Sequence, residues 1–333
     1  MYSWLDSAWT AWRKLSERLP HAVAVCAPEG FGAFEFSQGI AAALLCEKRG
    51  AKGRACAACV ACGWFRQGNH PDFRLIAPES MTEDPSTDGE QAAKKEKRSE
   101  QIRIEQVREL ADFLAVGTHR RGNRVILIYP ADAMNANTQN ALLRSLEEPA
   151  PSTVYLLVTS HPDRLLPTVR SRCMTFSLPV PDPEGVLRWL KEQGVDPPEA
   201  ALAASGGSPL AAREAAKSDG DRERFLEELK EPGLDPIGLA ESIQRIPVTS
   251  VVDWLQRWTY DLLLSKLTGA TRYFPNQGSG IAETSCRCRV EELCAYLRYL
   301  AQARSLARHP LNGKLFVEDL LLQYRRLTAG MDS

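Results

Sequence analysis

The run Val125-Ile126-Leu127-Ile128 is apolar without interruption, and Val154 to Thr159 repeats the pattern further along the chain. Runs this short, with none of the alternation of a half-wet sheet, suit strands buried on both faces, as in a parallel sheet covered by helices. No other feature of the 333-residue sequence narrows the fold as much. Between the two runs, Asn137-Thr138 offers a cap for a helix from Gln139 to Glu148. Leu142 and Leu146 share one face of it, and Pro149 stops it. Met174 to Leu178 reads as a third strand. Strand, helix, strand, helix, strand is the rhythm of an α/β domain.

This stretch also carries NALLRSLEEP, from Asn140 to Pro149, and LLPTVRSRC, from Leu165 to Cys173. Together they resemble the clamp-loader branch of the AAA+ ATPases. The resemblance implies a P-loop NTPase-like parallel-sheet domain, followed by a small helical lid and an all-α collar. It also implies a role for Arg172, the arginine of Ser171-Arg172-Cys173: reaching across a subunit interface to the phosphates of a neighbour's ATP. Outside that context, an exposed arginine capping a helix end is the ordinary reading.

Upstream, Ala22 to Cys26 is another buried strand, and a glycine-containing turn leads from it into a helix starting near Phe34. A phosphate-binding loop occupies this position, its backbone N–H groups holding an anion at a helix N-terminus. The motif requires G-x-x-x-x-G-K-[ST], whereas here Gly30, Phe31 and Gly32 are followed by Ala33 and Phe34. Ala33 removes the lysine that meets the β/γ-phosphates, and Phe34 removes the hydroxyl that holds Mg²⁺. Glu29 adds negative charge where a triphosphate would lie. Where an active relative carries Asp-Glu after its apolar strand, this chain has Tyr129-Pro130, with only Asp132 left of the acidic box. The expectation is no functional ATP site and no ATP hydrolysis by the chain itself.

Cys46 precedes Cys56, Cys59 and Cys62, three cysteines in strict i, i+3, i+6 spacing. Four thiolates close a tetrahedral structural zinc site and leave no open position for water or substrate. His70 is an alternative fourth ligand to Cys46. Cys286, Cys288 and Cys294 lack a fourth neighbour at familiar spacing and read as buried or incidental thiols. Nine cysteines so arranged fit a metal in a reducing cytoplasm better than a disulfide framework.

Lys and Arg number 41 against 42 Asp and Glu, so global charge does not announce a nucleic-acid protein. No apolar run approaches the roughly 20 residues of a membrane span. The N-terminus reads as an amphipathic helix bearing Trp4, Trp9 and Trp12, with no apolar core and cleavage site of a signal peptide. Gly68 to Ile76 leads into a strand, and Ile102 to Val116 reads as one helix with Val107, Leu110, Ala111 and Leu114 inward. Ala77 to Gln101, including the basic run Lys94 to Arg98, has the composition of a disordered surface insertion.

Beyond Leu178, Val186 to Gly194 and Glu199 to Ser205 are short helices. Leu210 stands where active relatives carry a nucleotide-sensing arginine, with Arg213 three residues on. Long amphipathic helices follow, interrupted by a Gly/Pro/polar loop over Tyr273 to Ser285. The resemblance implies an AAA+ domain over 1–178 with the cysteine module at 46–62, a lid over 179–217 and a collar over 218–333. It implies a non-hydrolysing subunit of a bacterial replicative clamp loader. Its partners would be the gamma/tau-type ATPase and delta subunits, and it would reach the sliding clamp and primed DNA through the assembly. The rival readings are a self-sufficient clamp-loader ATPase of the gamma/tau type and a lone zinc-dependent DNA-binding protein.

Overall fold

Five strands form one parallel sheet in the order β2-β3-β4-β1-β5. In chain order they are β1 (Ala22–Cys26), β2 (Phe73–Ile76), β3 (Arg124–Ile128), β4 (Thr153–Thr159) and β5 (Met174–Ser177). The computed structural model describes residues 2–50, 52–81, 99–119, 122–307 and 312–328. The chain divides into two compact units, Met1–Gly185 and Val186–Ser333, and the sheet belongs to the first.

Every residue of β1, β3 and β4 is buried, as the unbroken apolar runs require, while the edge strands β2 and β5 are largely exposed. Strand side chains alternate between faces. Ala22, Ile126, Ile128, Tyr155 and Leu157 share one face, under Val107, Leu110, Leu142 and Leu146. The other face takes Phe36, which stacks on Phe176 at 5.7 Å and meets Trp9 edge-on at 6.0 Å, while Trp12 meets Phe176 at 5.8 Å. Trp9 and Trp12 come from α1 (Asp6–Leu15), Phe36 from α2 (Ala33–Leu45) and Phe176 from β5, and Trp4, Trp9 and Trp12 are all buried. The parallel α/β sheet is therefore as expected, including the buried tryptophans.

Several local features differ from the sequence reading. After α3 (Val60–Arg66), the expected single helix over 102–116 is two: α4 (Ile104–Arg108) and α5 (Leu110–Ala115). Ala111 faces solvent and Leu114 is half-buried, while Val107 and Leu110 point inward. Helix α6 (Ala136–Glu147) starts earlier than Asn137-Thr138 suggested, because the Asn135 side chain accepts from the Thr138 N–H at 2.9 Å. Strand β3 begins on a buried arginine. Arg124 donates to the carbonyls of Leu114 (3.1 Å) and Val116, at the C-terminal end of α5. The Phe113 ring meets two guanidiniums, those of Arg124 at 4.9 Å and Arg74 at 5.0 Å. Carbonyl dipoles and a ring face thus take the place of water around the Arg124 charge.

The ends of the polar segment 77–101 are ordered. Ala77 is buried, Glu79–Met81 forms a helical turn, and the Ser80 N–H donates to the Ser99 carbonyl at 3.2 Å. The Arg103 guanidinium pairs with Glu79 beside that junction. The expectations of disorder and of the basic run at 94–98 otherwise lie outside the described residues. After α7 (Pro167–Arg170) and β5, helix α8 (Pro183–Glu192) carries the chain into the second unit.

That unit is helical: α9 (Pro198–Ala204), α10 (Pro209–Ala215), α11 (Asp219–Glu228), α12 (Pro236–Ser242), α13 (Val248–Thr268), α14 (Gly278–Arg287), α15 (Val290–Leu306) and α16 (Gly313–Thr328). The loop expected over Tyr273 to Ser285 is mostly α14, whose Ile281, Thr284 and Ser285 are buried at helical spacing. Packing of that face overrides the poor helix propensity of its glycines. The core gathers Leu255, Trp258, Leu293, Leu300, Leu320 and Tyr324 among others. Inside it, Trp258 donates to the Tyr324 hydroxyl at 2.8 Å, which donates on to the Leu229 carbonyl at 2.9 Å.

Asp261 is fully buried, and its carboxylate accepts the backbone N–H groups of Arg272 (2.9 Å), Tyr273 (2.9 Å) and Phe274 (2.8 Å). These charge-assisted bonds pin the connection between α13 and α14. Asp261→Ala leaves three donors without that acceptor and should cost about 2–4 kcal/mol. Asp253→Ala, which loses a contact with Arg304 at 3.5 Å and a charge near Arg257 but no backbone donors, should cost less, about 1 kcal/mol. Urea unfolding of the two variants beside the parent protein checks the contrast.

Candidate functional site

Loops at the carboxyl ends of parallel strands are where open α/β sheets place ligands. The turn after β1 lies there, and its geometry is that of a phosphate loop without the phosphate chemistry. Gly30 (φ +76°) and Gly32 (φ +89°) take left-handed conformations, and Gly32 caps α2. A Cβ on Gly32 would come within 3.2 Å of Leu5 Cδ1 and of the Tyr2 ring, so the N-terminal segment lies directly against the turn. Tyr2 stacks on Trp4 at 4.5 Å, and the Trp4 indole N–H donates to the Phe31 carbonyl at 3.2 Å.

Ala33 and Phe34 open α2. The Phe34 ring stacks on Tyr129 with centroids 4.5 Å apart and planes 26° apart. The stack joins the first turn of α2 to the residue that follows β3, so two rings meet at the carboxyl end of the sheet. Burial raises the Tyr129 phenol above its ordinary value, and the nearby carboxylates Glu29, Glu35 and Asp132 raise it further. Three carboxylates around one phenol make a poor setting for a triphosphate. Asp132, the remnant of the acidic box, accepts from the Thr159 hydroxyl at 2.6 Å, and Thr159 Oγ1 accepts from the His161 N–H at 3.0 Å.

The cysteine module hangs from the far end of α2. Cys46 follows its last turn, a turn through Ala57 (φ +59°) reverses the chain, and Cys59 caps α3, which contains Cys62. The four sulfur atoms lie within 4.8 Å of one another, with Cys46–Cys59 at 3.9 Å and Cys56–Cys62 at 4.0 Å. A tetrahedral ion about 2.3 Å from each sulfur would set them about 3.8 Å apart, so the donor set fits one metal ion.

The backbone is arranged for thiolates. N–H groups of Cys56, Cys59 and Cys62 donate to the sulfurs of Cys46 (3.2 Å), Cys56 (3.3 Å) and Cys59 (3.5 Å). Burial works against ionisation of Cys59, but the Cys62 and Glu47 N–H groups and the Cys62 and Cys56 thiols bring it down to about 6. Hydrogen bonds from Ala58 and Cys59 lower Cys56 as well, whereas burial, with Cys59 and Cys46 beside it, raises Cys62 to about 12. His70 does not join the group; its Nδ1 accepts from the Asp72 N–H at 3.1 Å, and Asp72 in turn accepts from the His119 N–H. Cys286, Cys288 and Cys294 form no such cluster among the described residues. Burial raises the Cys288 thiol to about 11.

Arg172 stands between α7 and β5. Its Nη1 donates to the Thr168 carbonyl at 2.8 Å, capping α7, and its Nη2 pairs with Glu147 Oε1 at 2.5 Å. The loop ahead of α7 is fastened by buried Gln139, whose Oε1 accepts the Leu166 N–H at 2.7 Å. The Gln139 amide donates to the carbonyls of Met134 (3.0 Å) and Arg164 (3.3 Å). Sequence reading missed Gln139 and Glu147, since an amide and a carboxylate on a helix carry no signal of a partner so far along the chain. In the second unit, Leu210 is half-buried and the Arg213 guanidinium lies 5.6 Å over the Trp189 ring. No helix among the described residues is long and apolar enough to cross a membrane.

The family model described as DNA polymerase III, delta subunit matches residues 11–182. DNA polymerase III subunit delta' of Pseudomonas aeruginosa is 34% identical, with 98% of each chain covered. The protein of the same name from Escherichia coli K12 is 28% identical over 91% of this chain and 88% of its own. The one from Haemophilus influenzae is 28% identical over 86% and 84%.

Two outcomes test the geometry. Cys59→Ser should lose the metal that elemental analysis finds in protein prepared without chelator, and circular dichroism should show the sheet unit still folded. Ala33→Lys with Phe34→Thr restores the motif's side chains but leaves Tyr129, Glu29, Glu35 and Asp132 in place. Calorimetry should find no micromolar Mg-ATP affinity in this double variant, and micromolar binding would contradict the carboxylate argument.

Proposed function

The chain belongs to the DNA polymerase III delta-prime family, and on that premise we propose that it is a non-hydrolysing subunit of the bacterial replicative clamp loader. In this reading it occupies one place in a ring with gamma/tau-type ATPase and delta subunits in the cytoplasm. The ring opens a sliding clamp and sets it on primed DNA, which this chain reaches through the assembly. Residues 1–178 form the AAA+ domain, 179–217 the lid and 218–333 the collar that joins neighbouring subunits. The metal is zinc, held by Cys46, Cys56, Cys59 and Cys62, and its work is structural: it ties the end of α2 to the start of α3.

The observation that carries the reading is the Phe34–Tyr129 stack. It fills the place of the metal-binding groups in a chain that keeps the arginine of its Ser-Arg-Cys motif at the surface. That combination disfavours the gamma/tau-type ATPase, which needs a lysine and a hydroxyl at positions 33 and 34. Arg172 therefore serves a neighbour's ATP. Phosphoryl transfer spreads negative charge over the γ-phosphoryl oxygens, and a guanidinium supplied from outside the site stabilises it.

Arg172→Ala should leave assembly intact by gel filtration. It should lower DNA-stimulated ATPase and clamp loading by the reconstituted complex. An arginine supplied in trans is worth roughly 10³–10⁵ in GTPase systems, and the loss here should be smaller because other sites in the ring keep their own arginines. Arg172→Lys should rescue only in part, since an ammonium lacks the planar fork. Unchanged rates in an assembled Arg172→Ala complex would leave the arginine a helix cap.

A further inference from the structure

Arg172 is engaged within its own chain through both terminal nitrogens, Nη1 on the Thr168 carbonyl and Nη2 on Glu147. A guanidinium takes a phosphate best through a pair of N–H groups presented together. Each of these nitrogens has a contact inside the chain, and the Glu147 carboxylate stands against the group that a phosphate would approach. We propose that Glu147 is a latch in cis for Arg172, released when a neighbouring subunit brings ATP to the arginine. This rests on Arg172 acting in trans.

The two partners differ in a way that assigns their roles. Thr168 contributes a neutral carbonyl at the end of α7, compatible with a phosphate nearby. Glu147 carries a full negative charge, which a triphosphate would repel while competing for the same nitrogen. The carbonyl is the pivot and the carboxylate the exchangeable contact.

The position of Glu147 supports this. It is the last residue of α6, where the partial negative charge of the helix C-terminus disfavours an acidic side chain. Its placement there finds compensation in the Arg172 cation. Leu142 and Leu146 are buried, so the end of α6 is fixed and the carboxylate has a set location. The Arg172 and Glu147 side chains are 36% and 47% exposed, which keeps the pair weak. A weak contact in reach of solvent opens readily. A buried pair would lock the arginine.

Glu147→Gln keeps the shape and removes the charge. In a reconstituted complex with primed DNA and clamp, it should lower the ATP concentration for half-maximal ATPase by about two- to fivefold, the range an exposed ion pair allows. Turnover at saturating ATP should not fall. The difference from the parent complex should shrink as salt is raised, and Glu148→Gln should have no such effect. Glu147→Ala repeats the measurement without an amide that could still accept from Arg172. Reduced turnover at saturating ATP would make Glu147 an orienting group and overturn the latch, and so would an unchanged half-saturation in both variants. If Arg172→Ala slows the complex while both Glu147 variants are indifferent, the latch alone fails. If Arg172→Ala changes nothing, the trans arginine and the latch fail together.

Discussion

Three parallel strands without an exposed face set the terms for everything around them. The peptide groups of β1, β3 and β4 bond sideways to one another, and their side chains are buried above and below. The strand ends are the only places where such a core opens to chemistry. The turn carrying Gly30 and Gly32 leaves β1 at its carboxyl end, Tyr129 follows β3, and the Thr159 hydroxyl ends β4. Arg172 sits at the opposite end of the sheet direction, just before β5 begins. The glycine turn after β1 and Arg172, the arginine proposed to serve another subunit, are thus separated by the length of a strand.

Much of this was legible in the sequence, because burial on both faces removes the polar alternation that makes other strands ambiguous. The cysteine spacing was legible for a different reason: gaps of two residues between successive cysteines match the turn that wraps a chain around one ion. What escaped were side chains whose role depends on distant partners. Arg124 looks like the polar flank of a strand, yet it is buried because the carbonyls closing α5 and the Phe113 ring surround it. Asp261 sits in an amphipathic helix like any surface acid, and only the return of residues 272–274 gives it three donors. Helix α14 was unreadable because glycines and serines hide a face that packing makes helical.

Phe34 and Tyr129 close the carboxyl end of the sheet with two rings stacked on each other, and Tyr2 and Leu5 lie against the neighbouring glycine turn. The contact is apolar where a triphosphate needs cations, and the surrounding carboxylates deepen the mismatch. The loop keeps its backbone shape because that shape also starts α2, which carries Phe36 into the core and ends at Cys46.

The hydrogen bond between Ser80 and Ser99 has a bearing on how the gene can be altered. It joins the residues that precede and follow 82–98, and the Arg103–Glu79 pair braces the same junction. Register in β2 and β3 is set on the inner side of that junction, so it does not depend on how many residues lie beyond. Closing a flexible loop twice as long costs only about 0.6 kcal/mol more. A tag or label inserted between the Ser80 and Ser99 junction residues should accordingly leave the pairing of β2 with β3 in place.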